Sequence, residues 1–280
     1  MDSRKYARYQ IDNEFTFPFN PIAYSRFKFG DGNIAKSYGT ELAVGFIQNC
    51  LANEVVIPQF VVISSPYSFI PTATFVMKNY FVSYLNKWLA GHDFPVVQEA
   101  KIHRKITYKE DYGELDAEQR MALIGNDEFH IDVGFLKGKD LIFLDDIRIT
   151  GSHENMILKM AAQYEIDNKA WLLYFAELTN KQIHPKVENY LNHAFVKNIF
   201  DLIPIVSNPN FRVNTRITKY ILNADPDAFN IFIQNQSPIF VELLLDMAIG
   251  NQYHQIEAYK ANLDKLQEVN KQLNYISYGN

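Results

Sequence analysis

Cysteine is almost absent from this chain of 280 residues, because Cys50 is the only one. A single thiol cannot form an internal disulfide, and a structural zinc site needs several thiols or a group of Cys and His side chains. The seven histidines show no zinc-ligand spacing such as H-E-x-x-H. A disulfide scaffold and a zinc-finger module are therefore excluded, and a reducing, cytoplasmic compartment fits the sequence best.

The chain also lacks an excess of positive charge. It has 27 Lys and Arg residues against 32 Asp and Glu residues, which gives a formal net charge of −5. Such a chain has no general attraction to nucleic acid or to an anionic membrane. We therefore expect no nucleic-acid partner, and any bound anion must be held by a local arrangement of groups.

Long uninterrupted hydrophobic runs are missing as well. Residues 1–16 mix acidic, basic and amide side chains, unlike a secretory signal. Residues 55–77 carry no charge, but prolines and polar residues interrupt them, and a bilayer helix could not satisfy that backbone. The sequence therefore predicts a cytoplasmic protein without a membrane partner.

Short apolar strands alternate with helices along the first two thirds of the chain. We predict a buried strand at 61–63, a Pro/Ser loop, a helix at about 72–90 and another short strand at 94–97. Residues 141–144 are four apolar residues without alternation, as expected of a strand that is covered on both faces of a parallel sheet. A helix at about 153–164 and a strand at 170–175 then complete the crossover unit of an α/β fold.

After about residue 180 the pattern becomes helical, with Ser237 and Pro238 as a helix start and Gly250 as a helix stop. The sequence thus predicts an N-terminal segment (1–20) and an α/β domain with a mainly parallel sheet and helices on both faces (21–205). A helical C-terminal extension (206–280) follows.

The most informative segment is 141–153. Its apolar strand is followed by Asp145 and Asp146, and Thr150, Gly151 and Ser152 then open a helix. Carboxylates at the carboxyl end of a buried strand face the crevice where α/β sheets bind ligands, and they can accept sugar hydroxyls or organise a hydrated Mg²⁺. A glycine turn at a helix N-terminus suits a phosphate. A ribose 5-phosphate would span both subsites; the alternative is a surface Asp pair before an ordinary helix cap.

This segment resembles the motif with which type I phosphoribosyltransferases bind PRPP (5-phosphoribosyl 1-pyrophosphate): four apolar residues, two acids, a short spacer and Thr-Gly-Ser/Thr. Residues 27–43 and 108–136 are similar to the ComF-like branch of that family, so the resemblance covers about residues 20–178. It implies a phosphoribosyltransferase-like α/β fold. It also implies a reaction in which a base-like acceptor displaces pyrophosphate from PRPP with Mg²⁺ bound.

The resemblance implies roles for individual residues. Asp145 and Asp146 would bind the ribose hydroxyls and, indirectly, the Mg²⁺ that accompanies PRPP. Catalysis would involve these two acids together with Lys105 and Tyr108. The 5′-phosphate would be wrapped by a continuous segment: Arg148, Ile149, Thr150, Gly151, Ser152 and His153. The pyrophosphate would contact the loop after the first strand and one basic residue of a mobile segment at about 104–125: Ser64, Ser65, Tyr67, Ser68 and Arg104.

The loop after the first strand departs from the ComF-like pattern, because it lacks the Arg and Gly of that branch. Two functions therefore stay open. One is a Mg²⁺-dependent phosphoribosyltransferase with PRPP and an unidentified acceptor as partners; the other is a non-catalytic PRPP or nucleotide sensor. The chain could also form a homodimer. The resemblance also implies that a peptide of this loop is cis or strained, and cis bonds cost least before proline. A cis bond between Ser65 and Pro66 is therefore one expectation; the alternative is a trans bond in a turn that simply ends the strand.

Overall fold

The computed structural model describes residues 1–104 and 129–278. Seven strands lie within these ranges: β1 (Asp2–Ile11), β2 (Phe60–Ser64), β3 (Gln98–Glu99), β4 (His103–Arg104), β5 (Phe129–His130), β6 (Asp140–Arg148) and β7 (Lys169–Leu178). Five of them form one all-parallel sheet in the order β1-β7-β6-β2-β3. Strands β4 and β5 form a separate antiparallel pair.

The same residues contain eleven α-helices: α1 (Pro21–Lys28), α2 (Gly32–Phe46), α3 (Ala73–Ala90), α4 (Val133–Leu136), α5 (Ser152–Gln163), α6 (Val187–Asn192), α7 (Ile203–Val206), α8 (Thr215–Leu222), α9 (Pro226–Gln234), α10 (Pro238–Gly250) and α11 (Glu257–Tyr278). The helices predicted at 72–90 and 153–164 correspond to α3 and α5. None of the helices in the described ranges is long and apolar enough to cross a membrane.

Local capping explains why several helices begin where they do. The Asn20 side chain accepts hydrogen bonds from the first turn of α1, and Pro21 occupies the first helical position. Ser237 caps α10 in the same way ahead of Pro238. The helix start predicted at Ser237 and Pro238 and the stop predicted at Gly250 are therefore confirmed.

Helices cover both faces of the sheet. Helices α2 and α3 bury Phe46 and Phe81 on one face, in a core that includes Ile142 of β6. Helix α5 buries Met160 on the other face, in a core that includes Phe143. Neighbouring residues of β6 thus enter opposite cores, which explains why this strand is apolar without alternation. The predicted α/β architecture with helices on both faces is confirmed.

A third core holds the C-terminal helices together. Phe229, Val241 and Leu263 are buried in it. Two residues from the first part of the chain, Phe29 and Ile70, are buried in the same core. The C-terminal helices therefore pack directly against segments that flank α1 and precede α3.

Two strands differ from the sequence expectation. The strand expected at 94–97 is wrong, since the chain pairs with β2 only at Gln98 and Glu99. Strand β1 was not predicted, because Arg4, Lys5 and Arg8 break its apolar pattern. It forms the edge of the sheet beside β7, where charged side chains are tolerated and protect the edge from pairing with other chains.

Candidate active site

The carboxyl ends of β2 and β6 lie side by side, since Ser64 is in register with Leu144. The following residues meet directly: the Ser65 hydroxyl donates to Asp145 Oδ1 at 2.8 Å. Thr74, in the first turn of α3, donates to Asp146 Oδ1 at 2.8 Å. The structure therefore brings the two segments that the sequence predicted, 64–68 and 145–153, to the same edge of the sheet.

Asp146 is buried, with 4% of its surface exposed. Its Oδ2 accepts hydrogen bonds from Tyr24 Oη at 2.5 Å and from Lys28 Nζ at 2.6 Å. Burial by itself raises the pKa of Asp146, but the adjacent ammonium of Lys28 and the hydrogen bonds outweigh it, so the pKa lies well below its ordinary value. Both carboxylate oxygens are thus occupied by the chain's own donors.

Asp145 has a more open environment. Its Oδ1 accepts from Ser65 and from the backbone N–H of Asp146, and its Oδ2 lies 2.8 Å from His153 Nδ1. The carboxylate lines a narrow cleft between β2 and α5 that also includes Pro66. Thr74, which is buried, also donates to Asp145 Oδ1 at 3.3 Å. The Asp145 side chain is nevertheless 14% exposed against 5% for Asp146, so Asp145 is the member of the acid pair that a ligand can reach.

The turn after β6 has the geometry of an anion site. Gly151 has φ +78°, in the left-handed region, and precedes the first residue of α5. A Cβ at this position would lie 2.8 Å from the end of the flexible Arg148 side chain, so it is the left-handed φ that favours glycine here. The hydroxyls of Thr150 and Ser152 are 2.7 Å apart. The Ser152 N–H also donates to the Thr150 hydroxyl, at 3.3 Å, so two hydroxyls and a backbone N–H lie together at the N-terminus of α5, where helices bind anions.

The charges around this turn balance one another. Arg148 Nε lies 2.5 Å from Glu154 Oε2, and its Nη1 lies 3.0 Å from Glu177 Oε1. Lys5, from strand β1, contacts the same two carboxylates at 3.3 Å and 3.6 Å. The side chain of Ile149 is buried in the core, so only its backbone can face a ligand. Arg148 therefore adds no unbalanced positive charge to the turn.

A second cleft, between residues 64–67 and 99–102, contains two lysines that the sequence analysis missed. Lys78 of α3 is buried at 2% exposure, and its ammonium contacts the carboxylate of Glu99. Lys101 Nζ donates to the Ser68 carbonyl at 2.8 Å and lies 3.9 Å from the centre of the Tyr67 ring. Both ammonium groups therefore border the loop that lacks an arginine.

Helical spacing was the signal that could have found Lys78. It lies four residues after Thr74 and hence on the same face of α3. It is also the first charge after the uncharged stretch 55–77. Lys28 and Tyr24, which hold Asp146, left no such signal, because only the tertiary fold brings α1 to the end of β6.

The remaining expected features are Arg104, Lys105, Tyr108 and the bond between Ser65 and Pro66. Lys105 and Tyr108 lie outside the described residues, as does most of the segment 104–125. The backbone of Arg104 belongs to β4. The expected cis bond is wrong, because the described residues contain no cis peptide and the Ser65–Pro66 bond is trans.

Comparison with known proteins gives the family. A model described as PRTase ComF-like, where PRTase stands for phosphoribosyltransferase, matches residues 3–266. The chain belongs to the ComF-like phosphoribosyltransferase family. The match includes β1 and most of the C-terminal helices, so the extent of about 20–178 given by the sequence resemblance is too short. Of the predicted helical extension of this ComF-like chain (206–280), residues 206–266 lie within the family match.

Three solved structures show low similarity to this ComF-like chain. A hypoxanthine phosphoribosyltransferase from Staphylococcus aureus has 9% identity over 53% of this chain and 75% of that chain, with TM-score 0.32. A hypoxanthine-guanine phosphoribosyltransferase from L. donovani has 13% identity over 52% and 73%, with TM-score 0.31. A hypothetical protein from Neisseria gonorrhoeae with bound ppGpp has 12% identity over 58% and 93%, with TM-score 0.29. No curated protein matches the chain.

Proposed function

We propose that this ComF-like protein binds Mg²⁺-PRPP and transfers its phosphoribosyl group to a base-like acceptor. One observation carries the proposal: the reachable carboxylate of Asp145 and the left-handed Gly151 turn lie on one strand-to-helix connection. The carboxylate suits sugar hydroxyls, and the turn suits the 5′-phosphate. Together they match the two ends of a ribose 5-phosphate.

The two acids have different roles in this proposal. Asp145 accepts hydrogen bonds from the ribose hydroxyls when Ser65 and His153 release its oxygens. Asp146 remains with Lys28 and Thr74, so it positions the elements around the ribose without touching it. Asp145 and Asp146 thus have different roles, although the sequence motif gives no reason to distinguish them.

The pyrophosphate end of PRPP fits the cleft beside residues 64–67. Lys78 and Lys101 supply the positive charge that the loop itself lacks, and the serine hydroxyls add hydrogen-bond donors. Glu99, whose side chain is 48% exposed, leaves the Lys78 ammonium when the more highly charged pyrophosphate arrives. A polyanion thus replaces a single carboxylate next to a buried cation.

Mg²⁺ fits this site as a companion of the substrate. In the described residues no group of three or more His, Cys, Asp or Glu side chains could hold a metal, and Asp146 has no free oxygen. Mg²⁺ keeps several waters and is often bound by one carboxylate plus substrate phosphates. Asp145 is that carboxylate, and the ion would neutralise charge on the leaving pyrophosphate.

The chemical step is a substitution at the anomeric carbon of PRPP. A lone pair on the acceptor nitrogen forms the new C–N bond, and the C–O bond to pyrophosphate breaks with its electrons leaving on the pyrophosphate oxygen. Where the acceptor nitrogen carries a proton, that proton passes to the departing pyrophosphate or to water. Asp145 stabilises the positive charge that develops on the sugar, and Lys78 and Lys101 stabilise the negative charge on the leaving group. The chain therefore acts by positioning and electrostatics.

A sensor function is favoured by one observation: Lys101 is already engaged by Ser68 and Tyr67, and the loop has no arginine or glycine. A sensor would bind PRPP without releasing pyrophosphate. Turnover therefore separates the two functions, whereas binding alone does not.

Calorimetry with Mg²⁺-PRPP and with ribose 5-phosphate tests the proposal. Asp145→Asn should weaken both ligands, since an amide cannot replace a carboxylate toward two hydroxyls. Asp140→Asn is the matched control, because Asp140 is the first residue of the same strand and lies at the opposite end of it from Asp145. Equal affinities of wild type and Asp145→Asn would contradict the site. Pyrophosphate release with a panel of nucleobases then tests transfer.

A further inference from the structure

The loop between β2 and α3 is held by the C-terminal helices. Asn251, directly after α10, is 5% exposed, and its Oδ1 accepts the backbone N–H groups of Phe69 and Ile70, both at 3.1 Å. Thr215, the first residue of α8, donates its hydroxyl to the Ile70 carbonyl at 2.9 Å. Its N–H donates to the Pro71 carbonyl at 2.9 Å. Three consecutive residues of the loop are thus bonded to two C-terminal helices.

Packing reinforces these hydrogen bonds. Ile70 is buried in the core of the C-terminal helices and not in either core of the sheet. The Phe69 ring lies over Gly250, where an added Cβ would be 2.3 Å from Cε1 of the ring. The middle of the loop therefore packs against the C-terminal helices and should move together with them.

Both ends of the same loop belong to the candidate active site. Ser65 donates to Asp145, and Thr74 donates to Asp146. Lys101 donates a hydrogen bond to the Ser68 carbonyl. Phe69, Ile70 and Pro71, which the C-terminal helices hold, directly follow Ser68 and end three residues before Thr74. Any movement of residues 69–71 therefore changes the position of the groups that border the ligand clefts.

We propose that Asn251 is a positioning residue for the proposed phosphoribosyl transfer: by accepting the Phe69 and Ile70 N–H groups, it fixes residues 64–68 against the pyrophosphate. This inference rests on the proposed function. It assigns a role to the C-terminal helices, which present an acceptor to a loop that has no glycine or arginine of its own. The two hydrogen bonds that Asn251 accepts reach Phe69 and Ile70 and not residues 145–152, so the sugar-phosphate end of the ligand should depend on Asn251 less than the pyrophosphate end does.

The test compares two leucine variants of the full chain. Asn251→Leu keeps the approximate volume and removes the acceptor. Asn262→Leu is the matched control, because Asn262 is also 5% exposed and makes two hydrogen bonds, to the carbonyls of Leu222 and Ala224, without touching the loop. Asn251→Asp, which keeps an acceptor oxygen, is the rescue variant.

We expect Asn251→Leu to weaken Mg²⁺-PRPP by about tenfold, as expected for two lost hydrogen bonds, and to leave ribose 5-phosphate within about twofold. Amide hydrogen exchange of residues 67–70 should accelerate. Asn262→Leu should change neither the affinity ratio nor that exchange, and Asn251→Asp should restore both.

Three outcomes would overturn the inference. Equal weakening of both ligands would show a merely structural role for Asn251. The same loss in Asn262→Leu would show general destabilisation of the C-terminal helices. Unchanged amide exchange at residues 67–70 in Asn251→Leu would show that the acceptor does not hold the loop. Failure of wild type to bind ribose 5-phosphate or PRPP would instead refute the proposed function, and the inference with it.

Discussion

The two strand-to-helix connections at the site obtain their chemistry in different ways. After β6, the acids, the glycine turn and the hydroxyls all lie within eight residues, 145–152. After β2, the loop at 64–71 contributes serines and backbone, and it takes its cations from Lys78 and Lys101 and its support from Asn251. The comparison shows that one half of a site can be a sequence motif while the other half exists only in three dimensions.

The two acids give the sharpest test of this comparison, and the largest expected effect. Asp146→Asn leaves the Lys28 ammonium buried without its anion, whereas Asp145→Asn leaves no buried cation unpaired, because Asp145 is bonded by hydroxyls, a backbone N–H and the partly exposed His153. Breaking a buried ion pair from one side typically costs about 3–5 kcal/mol. We therefore expect Asp146→Asn to lower the free energy of unfolding by about 3 kcal/mol, and Asp145→Asn by less than about 1 kcal/mol.

Urea denaturation at neutral pH measures both effects. Removing the pair together, with Lys28→Met and Asp146→Leu in one chain, should restore part of the stability, because no charge is then left unpaired. The buried hydroxyls of Tyr24 and Thr74 would still lose their acceptor. Equal losses for Asp145→Asn and Asp146→Asn would show that the two carboxylates are equivalent after all.

The pH dependence of stability should report the same carboxylate. The pKa of Asp146 is lowered in the folded protein, so its contribution is complete above the ordinary Asp value of about 3.9. The contribution is lost as the pH falls through the lowered folded-state value. Wild type should therefore lose more stability than Asp146→Asn between pH 6 and pH 3, measured by urea midpoints. Parallel curves for the two proteins would contradict the lowered pKa.

A pair of glycines isolates the turn after β6. Gly151 and Gly138 both have left-handed φ values, +78° and +74°. A Cβ at Gly138 meets nothing within 4 Å, whereas one at Gly151 meets Arg148. A left-handed side chain costs about 1–2 kcal/mol, so Gly151→Leu and Gly138→Leu should both lose at least that much stability. Only Gly151→Leu should lose ribose 5-phosphate binding by calorimetry, and equal binding would contradict the phosphate turn.

The sequence predicted those features whose causes are local. The apolar run at 141–144 specified β6, because a strand that is covered on both faces must be apolar throughout. Ser237 and Gly250 marked the ends of α10 because caps act within one helical turn. The Thr-Gly-Ser turn before α5 was likewise found, since its residues are consecutive in the sequence and directly precede the helix.

The features that were missed depend on contacts between distant residues. Lys28 meets Asp146 from 118 residues away, and Asn251 meets Phe69 from 182 residues away. Strand β1 was missed because edge strands carry charges that hide their pattern. Separation along the chain, and not chemical novelty, explains why the loop after β2 could not be interpreted from sequence alone.

Lys78 and Glu99 test whether the loop takes its charge from elsewhere. Lys78→Met should weaken the binding of inorganic pyrophosphate by about tenfold, since this variant removes the cation. Glu99→Gln should strengthen that binding by about threefold, since it removes the carboxylate that competes with pyrophosphate for Lys78. Calorimetry at low salt measures both. Effects of the same sign would contradict the exchange of Glu99 for pyrophosphate.

The smallest expected effect concerns Glu154, which brings negative charge to the first turn of α5. Burial raises its pKa, but the hydrogen bond and charge of Arg148 lower it more, so it is ionised near neutral pH. Glu154→Gln should strengthen the binding of ribose 5-phosphate by about two- to fivefold, which is the usual effect of one charge near a helix terminus. Glu165→Gln, beyond the other end of α5, should have no effect. The gain should shrink as salt is added, and weaker binding by Glu154→Gln would show that Glu154 instead holds Arg148 in the orientation that the phosphate needs.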